Sequence, residues 1–403
     1  MKKEARAKKD LESIPVKEEN VKFKSQLGKF LNENKDEHFN FNVTETFLVS
    51  TGSLTLDDAL GGGLPPGIHR FGGASEGGKT SASLEVIKNF LSTVPNSKGL
   101  IVKAEGRLPE KMKKRSGLKF VDNPDDWEIG TVFVFKCNVY EPVAQLVQDL
   151  ILDNPENIKY AFLLDSLDGL NLREDLVKSF IGDDNARVCG SPAITKRLFR
   201  RLSLPINELC HLFIIICQII ASIPAKFDPK EQLVVGGAGG NAAIHFSNWS
   251  LKFLPHYKGD LIIGGAQDED EGEGKGKKKA AILTFGESNV AGHWAKVKLE
   301  KTENEKSGQD VTYPIKYATD TEKGRIWTEL EIQRVAMIRK LLYKEKTSYI
   351  FIPPVLEKMR KEGLDVPDKI VGMPKLEAFF ARPEVSDFWK KFIRELNENK
   401  ELL

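Results

Sequence analysis

Between about residues 46 and 318 the chain alternates short apolar runs with longer amphipathic stretches. The runs GIHRFGG (67–73), GLIVKAE (99–105), TVFVFKC (131–137), YAFLLDS (160–166) and HLFIIICQI (211–219) are apolar at consecutive positions rather than at every second one. A strand covered on both faces has that pattern. Between them, TSASLEVIKNFLS (80–92), EPVAQLVQDLIL (141–152) and ITKRLFRRLSLPINEL (194–209) place apolar residues at helical spacing. Buried strands alternating with helices predict an α/β domain with a mainly parallel central sheet.

The flanks differ. Residues 1–45 are rich in Lys, Glu and Asn, and Val21, Phe23, Leu27, Phe30 and Leu31 predict one amphipathic helix in an otherwise extended arm. ASIPAKFDPKEQLVVGGAGGNAAIHF (221–246) is loaded with Pro and Gly. The charged insertion Gly264–Lys279 runs acidic and then basic, as a solvated segment between two strands does. Beyond residue 320 the pattern turns helical with charged faces, ending in EVSDFWKKFIRELNENKELL. The expected division is an N-terminal helical arm (1–45), a core (46–318) and a small C-terminal α/β domain (319–403).

The 403 residues are 40% apolar and 29% charged, with a net charge of +2, so any basic surface has to come from local patterning. HLFIIICQII falls far short of the roughly 20 residues of a membrane span, and MKKEARAKKDLE lacks the apolar core of a signal peptide. Cys137, Cys189, Cys210 and Cys217 have no metal-type spacing and read as free thiols of a reducing, cytoplasmic compartment.

The stretch Gly73-Ala74-Ser75-Glu76-Gly77-Gly78-Lys79-Thr80 fits G-x-x-x-x-G-K-[ST], after an apolar strand and before a helical pattern. Glycine lets phosphate oxygens approach the backbone and permits the positive φ that turns N–H groups inward. The following helix offers its N-terminus to the anion. Lys79 is placed to reach the β- and γ-phosphates and Thr80 to ligate Mg²⁺. Asp165, ending the run YAFLLDS, is the expected carboxylate for the metal. Glu105, ending GLIVKAE, is placed to activate water, and Gln218, ending HLFIIICQ, to hydrogen-bond the γ-phosphate.

In this order, these residues resemble the RecA family of recombinases. The likeness runs from STGSLTLDDALGGGLPPGIHRFGG through VKAEGRL, LLDSLDGL, IIICQI and VVGGAGGNAAIHFSNWSLKF to ESNVAGHWAKVKLEKTE. It covers residues 46–318 and extends more loosely to the C-terminal region, and its divergence is that of a phage-type member. It implies a RecA-like P-loop ATPase core that uses ATP and Mg²⁺, forms homo-oligomeric filaments on single-stranded DNA and exchanges strands with double-stranded DNA. Single-strand-binding and loader proteins are further partners it implies; no membrane is involved. It assigns Lys79, Glu105 and Gln218 to catalysis and Thr80 and Asp165 to the metal. DNA loops are implied near Gly182–Pro192 and between Ser222 and His245. Arg187, Lys196, Arg197, Arg200, Gly236, Gly237, Gly239, Gly240 and Asn241 are the implied DNA-binding residues, with Arg201 completing the basic cluster.

Two other readings stay open: a ring-forming ATPase or helicase built on the same ATPase core, and a non-catalytic mediator, to which a departure at Glu303 points. Lys301 matches the first of two family lysines that reach ATP from the adjacent protomer, but Glu303 stands at the second. A carboxylate beside the γ-phosphate is repulsive, so either Glu303 points away, or Lys306 or Lys298 substitutes, or the register of the match differs here. Met112 falls where the family has an aromatic platform for adenine.

Overall fold

The computed structural model describes residues 25–40, 47–74, 76–177, 190–221, 235–237, 240–263, 290–318 and 323–398. Ser75, Arg187, Gly239 and the charged insertion lie outside the described residues, as do Val21, Phe23 and most of both expected DNA loops. The chain divides into two compact units, Met1–Thr44 and Glu45–Leu403. In the first, α1 (Gln26–Glu33) is capped by Ser25, whose Oγ accepts from the Gly28 N–H at 3.1 Å. Its apolar Leu27 and Phe30 are exposed.

The second unit opens with α2 (Leu54–Leu60), β1 (Gly67–Gly73), α3 (Lys79–Thr93) and β2 (Ser97–Lys103). It continues with α4 (Glu110–Ser116), β3 (Lys119–Val121), β4 (Thr131–Lys136), α5 (Tyr140–Leu152), β5 (Lys159–Asp165) and α6 (Arg173–Val177). Then come α7 (Gly190–Glu208), β6 (Leu212–Ala221), β7 (Val235–Gly237), α8 (Gly240–Phe246), β8 (Trp249–Leu254) and β9 (Leu261–Ile263). The long strands β10 (Val290–Lys301) and β11 (Asp310–Lys316) and the short β12 (Arg325–Ile326) complete this part.

Among the described residues, twelve strands make one sheet. Its parallel part has the order β3-β4-β2-β5-β6-β1-β8, and β10, β11 and β12 extend it antiparallel. The consecutive apolar residues explain why both faces are covered. In β5, Leu163 packs on one side of the sheet with Leu84, Ile87 and Phe90 of α3. Its neighbours Phe162 and Leu164 pack on the other with Val143, Val147 and Ile151 of α5 and Leu198, Phe199, Leu202 and Ile206 of α7. Each such side chain contributes roughly 1.5–3 kcal/mol by leaving water. Arg70 stitches three neighbouring strands: its Nη1 donates to Ser250 Oγ on β8 at 3.0 Å and to Glu300 Oε2 on β10 at 2.7 Å.

The C-terminal part has its own core. Helix α9 (Thr328–Ile338), β13 (Leu342–Glu345), β14 (Ser348–Phe351), α10 (Pro353–Lys361), β15 (Ile370–Val371), α11 (Met373–Phe380) and α12 (Pro383–Glu398) surround Phe351, Phe380, Trp389 and Phe392. The three strands form an antiparallel sheet in the order β13-β14-β15.

Two boundaries differ from the sequence reading. The first expected DNA loop was to reach Pro192, but α7 already begins at Gly190. Proline is tolerated there because a first-turn N–H has no intrahelical partner to lose. The second was to run as one loop to His245. Instead, Gly236 and Gly237 pair with Ile220 and Ile219 of β6, and Gly240 and Asn241 open α8.

Candidate nucleotide-binding site

Four adjacent parallel strands end at one edge, and their register decides which side chains meet there. Gly73 of β1 lies beside Gln218 of β6, and Asp165 of β5 beside Lys103 of β2. Beyond β2, the Ala104 N–H still pairs with the Asp165 carbonyl at 3.0 Å, which carries Glu105 to the same edge. Crevices at the carboxyl ends of parallel strands are where open α/β sheets hold ligands.

The turn from β1 into α3 is a backbone cradle. Gly73 has φ +152°, and a Cβ there would lie 2.3 Å from the Phe253 carbonyl oxygen, so only glycine fits. Glu76 and Gly78 also take positive φ, and Gly78 caps α3, whose first residues are Lys79 and Thr80. Gly77 N–H donates to Ala74 O at 3.3 Å. Lys79 is buried, and its Nζ donates to Gly73 O at 2.9 Å and Ala74 O at 2.6 Å. Burial lowers the Lys79 ammonium below the ordinary lysine value, while Asp165, Asp168 and Cys217 oppose the shift. The lysine is therefore held by carbonyls of the turn that precedes it.

A connected set of carboxylates faces this cradle. The Thr80 hydroxyl donates to Asp165 Oδ2 at 3.3 Å, and Lys103 Nζ lies 2.7 Å from the same oxygen. A hydroxyl and a carboxylate at this separation form a hard oxygen donor set that fits Mg²⁺. Glu105 Oε2 accepts from Ser166 Oγ at 2.9 Å and from Gln218 Nε2 at 3.0 Å. Asp168 Oδ2 accepts from the Gln218 N–H at 2.8 Å. Burial raises the Asp168 carboxyl, the Gln218 amide opposes this, Glu105 adds to it and Lys79 offsets part. A carboxylate held by the side chain of a strand-end residue, as Glu105 is by Gln218, can orient a water.

The structure thus brings together Lys79, Thr80, Glu105, Asp165 and Gln218, with Ala74, Glu76, Gly77 and Gly78 of the turn. Three further members were missed: Lys103, Ser166 and Asp168. Their only sequence signals were a cation inside an apolar run and the polar spacing in DSLD after β5.

Lys301 has a different setting. Its Nζ donates to the carbonyls of Ile244 (3.2 Å), His245 (2.9 Å) and Ser247 (2.6 Å), at the C-terminal end of α8. A cation there complements the helix dipole and satisfies its last carbonyls. Burial lowers the Lys301 value and Glu303 raises it. Glu303 accepts from Asn248 Nδ2 at 2.7 Å, and Lys306 Nζ donates to Asp58 O at 3.2 Å. Met112 is partly buried against the α3 side of the core.

The basic cluster on α7 divides into two rows at helical spacing. Lys196, Arg197, Arg200 and Arg201 are all exposed, opposite the buried stripe of Leu198, Phe199, Leu202 and Ile206. Arg197 and Arg201 line a cavity of about 180 Å³ shared with Tyr140, Glu141 and Gln145 of α5. Exposed cations at i, i+4 suit contacts with a phosphate backbone. No group of three or more His, Cys, Asp or Glu side chains with metal-binding geometry occurs among the described residues, and none of their helices is long and apolar enough to cross a membrane.

Comparison with known proteins finds similarity to bacterial proteins named Protein RecA. That of Agrobacterium fabrum is 26% identical over 313 residues, 75% of either chain. That of Mycoplasma pneumoniae is 30% identical over 197 residues, 47% of this chain and 54% of the relative. That of Rhizobium rhizogenes is 26% identical over 313 residues, 75% of this chain and 76% of the relative. No family model matches the chain. Similarity at this level supports a relationship to the RecA family.

Proposed function

We propose that this chain is an ATP-dependent DNA recombinase of the RecA family. In this reading it assembles as a filament on single-stranded DNA and exchanges strands with a homologous duplex, as a phage-type member of the family. One observation carries the reading: Gln218 bonds through its side chain to Glu105 and through its backbone to Asp168, directly beside the Lys79 cradle. ATP with Mg²⁺ bound by Lys79, Thr80 and Asp165 would disturb that pair of contacts. The disturbance passes along β6 into the glycine-rich segment that follows, whose ordering on DNA would then depend on the nucleotide. The basic rows of α7 supply sequence-independent phosphate contacts, and the exposed apolar face of α1 provides a surface for a neighbouring subunit.

The test measures ATP turnover with and without single-stranded DNA while filaments are viewed by electron microscopy. Turnover that rises with DNA, together with filaments, supports the reading. Turnover indifferent to DNA and no filaments overturns it; closed rings that unwind duplexes point instead to a motor.

A second reading, an accessory that binds nucleotide and DNA without driving exchange, is favoured by the engagement of Lys301 with α8 and of Glu303 with Asn248. If Lys79→Ala leaves reconstituted strand exchange intact, the accessory role prevails.

A further inference from the structure

The pairing of Lys103 with Asp165 introduces a positive charge where a P-loop site ordinarily depends on a metal ion. Asp165 Oδ2 is shared between the Thr80 hydroxyl and the Lys103 ammonium, which stands closer, at 2.7 Å against 3.3 Å. Both partners of the ion pair are largely shielded, with side chains 12% and 8% exposed. Lys103 is the last residue of β2, and its register opposite Asp165 is set by seven consecutive residue pairs between β2 and β5. The charge is therefore held by the sheet, not by a mobile loop. Lys79, anchored to the loop carbonyls, also interacts electrostatically with Asp165. A single carboxylate thus has two lysines around it, and one of them has no task in the nucleotide reading developed so far.

We propose that Lys103 is a tethered cation of the nucleotide site, supplying from the protein part of the positive charge that Mg²⁺ otherwise brings. The inference rests on the reading of the Lys79 turn as a triphosphate site. Its logic is electrostatic. With Lys103 in place, the Asp165 charge is partly offset, so it repels a polyanionic nucleotide less, and draws the divalent ion less strongly, than a bare carboxylate would. Without Lys103, the bare carboxylate does both in full, and nucleotide binding becomes strongly dependent on the metal. Burial keeps the effect from being screened by salt. Lys103 acts here as a positioning residue through Asp165, and nothing requires it to touch the reacting atoms.

The experiment uses the full chain and fluorescent N-methylanthraniloyl-ADP, titrated in Mg²⁺ and in EDTA. In the unaltered protein, chelation weakens binding only about threefold. In Lys103→Met, which keeps the apolar stem, chelation weakens it by a further factor of about ten or more, the scale of one opposite charge lost within contact distance. Lys103→Arg restores the original ratio, which a purely structural role of the stem would not require. Equal Mg²⁺-to-EDTA ratios in the unaltered and Met proteins overturn the proposal while leaving nucleotide binding intact. Failure of the unaltered protein to bind the probe in either buffer overturns the nucleotide reading and this inference with it. Should Lys103→Met not fold, Asp165→Asn carries the test. With Lys103 released from its carboxylate, affinity for the metal-free probe rises about tenfold, and an unchanged affinity overturns the proposal.

Discussion

Two groups of carboxylates in this chain are satisfied in different ways. At the junction of α2 with the C-terminal helices, Glu331 of α9 accepts from Ser53 Oγ at 2.6 Å, Leu54 N–H at 3.0 Å and Thr55 N–H at 2.9 Å. It caps the N-terminus of α2 from 276–278 residues away in sequence. Nearby, Asp57 accepts from the Thr51 N–H and hydroxyl, both at 2.7 Å, and from Ser50 Oγ at 2.5 Å. At the strand ends, Asp165 and Glu105 are held instead by the side chains of Thr80, Lys103, Ser166 and Gln218. Backbone amides, which make up part of the donor set of Glu331 and Asp57, cannot rotate away, and the result is a joint. Where all donors are side chains, as for Asp165 and Glu105, they can rotate away when a ligand offers better partners, as the proposed nucleotide site requires.

That contrast can be broken experimentally. The largest effect belongs to the strand-end group. Glu105→Gln should lower ATP turnover about 1,000-fold with nucleotide affinity nearly unchanged, within the range for a lost general base; single-turnover kinetics with a binding titration check it. Full activity in this variant would move the water-activating role elsewhere. At the joint, Glu331→Ala should remove about 3 kcal/mol of stability, because buried donors at the α2 N-terminus lose a charged acceptor. Urea unfolding measures this, and nucleotide binding should survive at temperatures where the variant is folded. Lys79→Ala should reverse the pattern, lowering nucleotide affinity about 100-fold, equivalent to about 2.7 kcal/mol, with little loss of stability.

The pH dependence of stability sharpens the comparison further. Burial pushes Asp57 up to about 6 from 3.8, against the hydrogen bonds of Ser50 and Thr51. Its contribution is complete below about 3.8 and is lost as pH rises through 6. Burial pushes His69 down to about 4 and His211 to about 3, from 6.5. Their contribution is complete above 6.5 and is lost as pH falls toward those values. Between pH 6 and 4 the two effects oppose each other. Asp57→Asn removes the compensating one, so stability should fall more steeply with acid, by about 1.4 kcal/mol per pH unit, in urea titrations at pH 6, 5 and 4. The smallest effect is expected at Lys301. Losing its contacts with the end of α8 in Lys301→Ala should reduce stability by about 1 kcal/mol.

Much of the fold was legible because its signals are local. Leu163, between Phe162 and Leu164, has apolar neighbours on both sides, and only a strand covered on both faces uses all three. The eight residues from Gly73 to Thr80 carry their own geometric requirement, since the Gly73 Cβ would strike a neighbouring strand and Lys79 opens a helix. The site beyond them was half legible. Glu105, Asp165 and Gln218 each end an apolar run, so each could be named without knowing its neighbours. Lys103 could not, because a lysine near a strand end reads as solvent-exposed until its pairing partner is known. The helical start at Gly190 and the pairing of Gly236 with β6 were likewise set by tertiary partners.

By itself the sequence determined the order of strands and helices, the phosphate-type turn and the residue types available at each strand end, because these depend on neighbours a few positions away. The tertiary structure alone decided that Lys103 faces Asp165, that Gln218 joins Glu105 to Asp168, and that Glu331 caps a helix formed far earlier in the chain. Those pairings depend on strand register and on which surfaces become buried together, and the burial of charge makes each partner's identity matter.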